Sequence, residues 1–385
     1  MTARIALVLG TSTGGVGAHV HDLAAGLVAR GDQVTVIGPA QTDEHFGFAK
    51  AGADFRPVSI AASVNPPRDF ATVRALRAAV AEANAEVVHA HGVRAGALAG
   101  LALGRTNANR TPSVVTLHNA MLATGIKARL LTQLEKLAAR RANVVLGASA
   151  DLVERARTLG ARDARLGPVP APPLPEPTRL RADMRAELGV GGEGDSGAAE
   201  RILVLAVGRL APQKDYATLL AAARIWQGAR ELTDSPQAVP RLVIAGEGPL
   251  RDDLQGDIDR WQLDVALLGH RADVADLLLA ADVLVLSSTW EARALIVQEA
   301  LRAGVPVVAT AVGGTPELVG DAAILVPPGD PHEIAIAVQR LAQYPDDRAR
   351  FAARGRDRAR ALPDAEQCLD QVQAIYSELT DSVNR

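Results

Sequence analysis

Two successive series of short β-branched runs, each run followed by a loop or an amphipathic stretch, limit this chain to a few folds. The first series is Ile5–Leu9, Gln33–Ile37, Val87–Ala90, Ser113–Leu117 and Val144–Leu146, with helical patterns such as His19–Ala29 and Phe70–Ala83 between the runs. The second is Ile202–Val207, Arg241–Ala245, Ala266–Leu268, Val283–Leu286, Val305–Ala309 and Ala323–Val326. Such runs read as buried strands, and their alternation with helices is the pattern of a parallel, doubly wound sheet. The expected class is α/β, with two Rossmann-like domains facing each other across a cleft. A chain of 385 residues also exceeds what one compact core holds.

Between the two series lies Pro168–Pro177, with six prolines in ten residues. Proline lacks the backbone N–H and fixes φ, so the segment forms neither a helix nor an interior strand. It reads as a stiff linker. The expected organisation is a first domain at 1–167, a linker at 168–178 and a second domain at 179–365. A C-terminal helix at about 366–385 is expected to pack back on the first domain. Gly189–Ala199, glycine-rich and polar, reads as a surface loop. Sheets of this kind bind ligands beyond the C-terminal ends of their strands.

Composition excludes several classes. Cys368 is the one cysteine, so there is neither a disulfide framework nor a thiolate zinc cluster. A cytoplasmic location fits that, at the inner face of a membrane if a membrane is contacted. No apolar run reaches the roughly 18 residues of a membrane span, and Met1–Gly10 reads as a strand entering a glycine loop rather than a signal peptide. Residues 1–170 hold 19 Lys+Arg against 12 Asp+Glu, and residues 171–385 hold 22 against 32. A basic first half fits an anionic acceptor or an anionic membrane surface, and drift between the halves explains it equally well. Nothing points to nucleic acid. The stretch 127–141 reads as a basic amphipathic helix with Leu130, Leu131, Leu134, Leu137 and Ala138 on one face. Core packing accounts for that face, and peripheral membrane contact through Lys127, Arg129 and Arg140 is the alternative.

Three constellations carry chemistry. Gly14-Gly15-Val16-Gly17 follows the first strand and opens the helix that holds His19. Glycine lets backbone approach a phosphate, and a helix N-terminus favours negative charge. A tight turn without a ligand reads the same way. The spacing is not GxGxxG and no acidic residue follows Gln33–Gly38, which disfavours a dinucleotide oxidoreductase. Next, Arg209 and Lys214 follow the first strand of the second series, where two cations can neutralise a diphosphate without a metal. Either cation alone reads as ordinary surface charge. Finally, Glu291 lies just past Val283–Leu286 and Glu299 about two turns into the next helix, whose free amides near Ala294, Leu295 and Ile296 suit phosphate oxygens. An ionised carboxylate accepts paired sugar hydroxyls. Gly313-Gly314-Thr315-Pro316-Glu317 forms a further tight loop after another strand. Asp257-Ile-Asp259 sits inside the helical pattern Leu250–Trp261 and reads as a solvated face rather than a metal site.

With these motifs the chain resembles the family-4 glycosyltransferases of the GT-B fold over nearly its whole length. The resemblance rests on Gly14–His19, His89-Ala90-His91-Gly92, Val115-Thr-Leu-His118-Asn119, Gly208-Arg209-Leu-Ala-Pro-Gln-Lys214-Asp215, Ala245-Gly-Glu-Gly-Pro-Leu250 and Glu291-x7-Glu299. It implies that the second domain binds a nucleoside-diphosphate sugar, with UDP the commonest nucleotide of the family and GDP also used. It implies that Arg209 and Lys214 hold the diphosphate together with the loop at Gly15 and Val16. Glu299 would accept the ribose hydroxyls and Glu291 a sugar hydroxyl, while backbone at His270 and Arg271 would meet the base. His118 would face the transferred sugar near its anomeric carbon, with His19, His91 and Asn119 close by on the acceptor side. The family transfers a hexosyl or related unit with retention of configuration and needs no metal or other cofactor for the diphosphate. The acceptor is not named by the sequence; an anionic or lipid-linked one is the expectation, bound by loops such as Gln41–Lys50 and Asn65–Arg68.

One departure stands out. Many members read Glu-Gly-x-Pro at the first glutamate, whereas here Ala292, Arg293 and Ala294 follow Glu291. Two other readings compete: a nucleotide-sugar epimerase or phosphorylase of the same shape, and a catalytically silent sugar-nucleotide-binding protein.

Overall fold

The computed structural model describes residues 2–12, 14–61, 63–104, 111–120, 125–190, 201–228 and 239–383. It divides into two compact units, 1–170 with 363–385, and 171–362. Most of the glycine-rich loop read at Gly189–Ala199 lies outside the described residues.

The first unit contains β1 (Arg4–Leu9), β2 (Gln33–Gly38), β3 (Asp54–Pro57), β4 (Val87–His91), β5 (Ser113–Leu117), β6 (Val144–Gly147) and β7 (Ala164–Leu166). They form one sheet in the order β3-β2-β1-β4-β5-β6-β7. The second unit contains β8 (Leu203–Val207), β9 (Arg241–Ala245), β10 (Val265–Gly269), β11 (Val283–Leu286), β12 (Val307–Thr310) and β13 (Ala323–Val326), ordered β10-β9-β8-β11-β12-β13. Every pairing of these strands is parallel. Both sheets therefore have the doubly wound Rossmann order, in which the winding reverses between the first strand and the fourth. At that reversal successive crossovers leave on opposite faces and open a crevice beyond the strand ends.

Burial on both faces explains why the interior strands are so apolar. In β8, Val204 and Ala206 belong to one core with Leu219, Leu220 and Trp226, while Leu203 and Leu205 belong to the other with Leu277, Leu284 and Val297. The edge strands β3 and β7 lack this signature, since their side chains are mostly exposed or half-buried. The C-terminal helix Ala365–Val383 belongs to the first unit. Its Leu369, Val372, Ile375, Tyr376 and Leu379 join the core of β1 and the helix Gly15–Ala29, and Arg30 bonds Glu366 and Asp370 on it.

The two units meet in sequence at 170/171, and the residues just after that point are bonded within the second unit. Ala171 N–H donates to Gln298 Oε1 at 3.0 Å, and the amides of Thr178 and Arg179 donate to Asp276. The proline-rich stretch has no regular secondary structure from Pro168 to Pro177.

Three expectations are corrected. Gln41–Lys50 is not an open loop: Ala40–Phe46 is helical and Phe48 is fully buried among Phe46, Phe55 and His21. Asn65–Arg68 is likewise ordered, with Asn65 capping the helix Pro66–Glu82 through the Arg68 amide and Arg94 pairing with Asp69 at 2.6 Å. In the helix Gly125–Arg141 the buried line is Glu135, Ala138 and Ala139, while Leu130 is 48% exposed and Leu131, Leu134 and Leu137 are half-buried. Core packing thus accounts for Ala138 and in part for Leu131, Leu134 and Leu137, but not for Leu130. The Lys127 side chain lies outside the described residues.

Candidate active site

In the second unit the winding reverses between β8 and β11, and their following loops carry Arg209, Lys214 and Glu291. The β8 loop is held from below by the β9 loop. Leu210 N–H donates to Glu247 O at 2.9 Å and Leu250 N–H to Leu210 O at 3.1 Å. A Cβ on Gly246 would lie 1.9 Å from Gly208 O, so a side chain there would push the two loops apart. Arg209 is exposed and makes no side-chain bond among the described residues. Lys214 behaves differently. Its Nζ lies 2.6 Å from Glu291 Oε1, and Ser288 Oγ donates to the same oxygen at 2.7 Å.

Further bonds stitch these loops together. Gln213 Nε2 donates to Trp290 O at 2.7 Å, Thr289 N–H donates to Gln213 O at 2.8 Å, and Ser287 Oγ donates to Lys214 O at 2.8 Å. From the β12 side Gly314 N–H donates to Glu291 O at 2.8 Å. Gly313 has φ +50°, and a Cβ there would sit 2.1 Å from Glu291 O. Gln213, Ser288 and Trp290 were not singled out from sequence. The signal for Ser288 was its place at the end of β11; for the others the partner is 77 residues away and no local pattern reveals it.

Glu299 lies on the helix Leu295–Ala303, whose N-cap Ala294 offers no side-chain cap. The first amides, at Leu295 and Ile296, are thus left without a capping side chain. Glu299 is mostly buried and has no hydrogen-bond partner among the described residues. Burial raises its carboxyl pKa, and the charge of Arg302 offsets part of the rise. A buried carboxylate without a donor is costly unless a ligand supplies one. The alanines in the motif fit without strain. Ala294 has φ −61°, the value a proline would impose, and Ala292 is not in the left-handed region. Arg293 is half-buried, not solvent-exposed. His270 is exposed, and the Arg271 side chain is held by Asp273 and Glu187, which leaves backbone at this loop for a ligand.

In the first unit the same reversal falls between β1 and β4. Gly15 and Val16 open the helix Gly15–Ala29, whose Gly14 N-cap has no capping side chain, and Gly17 N–H donates to Ser12 Oγ. His19 is on that helix, His91 ends β4, and His118 follows β5. Parallel pairing sets the last two side by side, with His91 Nδ1 at 3.2 Å from His118 Nε2. The His19 ring centre is 5.6 Å from that of His91 and 5.4 Å from that of His118. His89 stacks on His91 at 4.2 Å, but its nitrogens are satisfied by Tyr376 Oη and Thr116 Oγ1, each at 2.6 Å. Desolvation lowers all four, His19 to about 4, His89 to about 3, and His91 and His118 well below the usual range. Near pH 7 the rings are therefore neutral, so His118 can donate or accept a hydrogen bond but carries no charge. Asn119 is exposed beside it.

Known proteins match both parts of the chain. The model of the glycosyl transferase 4-like domain matches residues 14–172, and that of the glycosyl transferases group 1 matches residues 195–358. The α-D-kanosaminyltransferase of Streptomyces kanamyceticus is 30% identical over 76% of this chain and 77% of its own length. Among solved structures, Anabaena HepE in complex with UDP superposes with a TM-score of 0.74 at 21% identity, covering 98% of this chain and 100% of that one. Sucrose-phosphate synthase from Thermosynechococcus elongatus gives 0.78 at 23% identity, again covering 98% and 100%.

Proposed function

This chain belongs to the family-4-type glycosyltransferases of the GT-B fold, and on that premise we propose that it moves a hexosyl or related unit from a UDP-sugar with retention of anomeric configuration. One observation carries the donor reading. At the β8/β11 reversal a Lys214–Glu291 pair comes from one unit with Arg209 and Glu299, neither of which has a side-chain partner among the described residues. A nucleoside diphosphate sugar offers an anion to Arg209 and Lys214 and hydroxyl donors to Glu299 and Glu291. We assign the diphosphate to Arg209, Lys214 and the amides of Leu295 and Ile296, the ribose hydroxyls to Glu299, and a sugar hydroxyl to Glu291. The Gly15–Val16 amides are assigned to phosphate as well. The base goes to backbone at His270 and Arg271. UDP is favoured because HepE was solved with UDP and with UDP-glucose.

Transfer from such a donor builds negative charge on the departing diphosphate, and fixed cations and amides stabilise it without reorganisation. With the charge handled by Arg209 and Lys214, the assignment needs no metal there. His118, neutral in its pocket, is assigned to hydrogen bonding of the transferred sugar, and His19, His91 and Asn119 to the acceptor side. A phosphate oxygen of the donor can take the acceptor proton. The acceptor is read as anionic or lipid-linked, and the helix Gly125–Arg141 as a peripheral membrane contact, because Leu130 is exposed beside Arg129. No described helix is long and apolar enough to cross a membrane. The test is a panel of nucleotide sugars in thermal-shift and donor-hydrolysis assays. A UDP-sugar should stabilise the chain and be slowly hydrolysed; epimerised donor without transfer, or no response to any nucleotide, refutes the reading.

A further inference from the structure

We propose that His19, His91 and His118 form a binding site for one divalent transition-metal ion of the zinc type, separate from the donor residues. Among the described residues these are grouped so that one nitrogen of each lies within 4.8 Å of the others. Tetrahedral zinc with Zn–N bonds of about 2.0–2.1 Å holds its ligand nitrogens about 3.3 Å apart. The His91–His118 pair already stands at 3.2 Å. The remaining pairs close from at most 4.8 Å, a movement of about 1.5 Å or less. His19 can supply it by side-chain rotation, because it is half-buried on the second turn of its helix whereas His91 and His118 are buried at strand ends.

A second observation points to a ligand. His91 Nε2 is buried with no hydrogen-bond partner, while Nδ1 of the same ring faces His118. An unsatisfied buried nitrogen costs about 1–3 kcal/mol. Three imidazoles without a carboxylate select zinc, copper, nickel or cobalt over magnesium or calcium. His89 differs in kind. Both its nitrogens are taken by Tyr376 and Thr116, so it packs the pocket and does not ligate. Three protein ligands leave a fourth position for water.

The site stands on its own geometry; only its consequence rests on the glycosyltransferase reading above. An ion held here removes the His118 nitrogen from the sugar, so zinc should inhibit transfer and a chelator should restore it.

The test is titration of the chelator-treated full chain with Zn2+ by calorimetry, and with Co2+ by its visible ligand-field absorption. The expected result is one equivalent per chain, with His19→Ala and His91→Ala each weakening Zn2+ by about tenfold or more. His332→Ala, an exposed histidine of the second unit, should leave it unchanged. Thermal unfolding of each variant checks that it is folded, and His91→Gln provides a second, less disruptive form. Absence of stoichiometric binding to the wild-type chain, or unaltered binding in folded His19 and His91 variants, overturns the site. The titration needs neither donor nor acceptor, so a chain that binds zinc and transfers nothing refutes the function and keeps the site.

Discussion

Replacing Glu299 by Gln separates ligand binding from folding. The carboxylate is mostly buried, has no partner among the described residues and has a raised pKa, with burial the larger cause. Its charged form is thus disfavoured in the free protein. A raised carboxyl pKa means stability is lost as pH rises from the ordinary value through the folded one, so at neutral pH the charge is a burden on the fold. Glu299→Gln removes that charge at nearly constant volume and should leave the melting temperature unchanged or higher. Binding should go the other way. Two ribose hydroxyls donating to a carboxylate gain about 1.5–3 kcal/mol over their bonds to water, and the amide keeps one acceptor. The expected loss of about 2–3 kcal/mol is roughly 30- to 150-fold in UDP affinity. Calorimetric titration with UDP at several pH values is the assay. Wild-type affinity should fall as pH drops through the raised carboxyl pKa, and the variant should show no such dependence. Unchanged UDP affinity in a folded Glu299→Gln chain refutes the role given to this residue.

Four further outcomes follow from the same geometry. Arg209→Ala should weaken UDP by about five- to thirtyfold with no change in melting temperature, since Arg209 is exposed and unpaired among the described residues. Lys214→Ala should lower both UDP affinity and thermal stability, because it leaves Glu291 buried without its cation at 2.6 Å. Gly313→Ala should cost about 1–3 kcal/mol in urea unfolding and reduce turnover, because the Cβ meets Glu291 O and φ is positive. Tyr376→Phe strips His89 Nδ1 of its partner and should cost about 1–3 kcal/mol of stability while UDP binding persists.

What the sequence made legible follows from burial. The six strands of the second unit read clearly because each is an apolar run; the inner ones are covered on both faces, as Leu203–Val207 is, and even the edge strands Val265–Gly269 and Ala323–Val326 are half-buried. Asp54–Pro57 and Ala164–Leu166 did not, since edge strands with exposed side chains carry no such pattern. Gln41–Lys50 looked like a loop because its residues are mostly polar. One buried aromatic, Phe48, decides its shape through contacts no periodicity encodes. The helix Gly125–Arg141 shows the converse: helical spacing marked an apolar face, but tertiary packing centres the buried line on Glu135, Ala138 and Ala139 and leaves Leu130 exposed. At the site, residue types at strand ends were readable one motif at a time. Their meeting was not, because Lys214 and Glu291 are 77 positions apart, and parallel winding alone brings the loops of β8 and β11 together.

The most direct test of the donor assignment is a crystal structure of the chain soaked with UDP. The account predicts the diphosphate within hydrogen-bond distance of Arg209 and Lys214, with both ribose hydroxyls on Glu299. UDP bound with its ribose away from Glu299, or bound at another place on the chain, contradicts it.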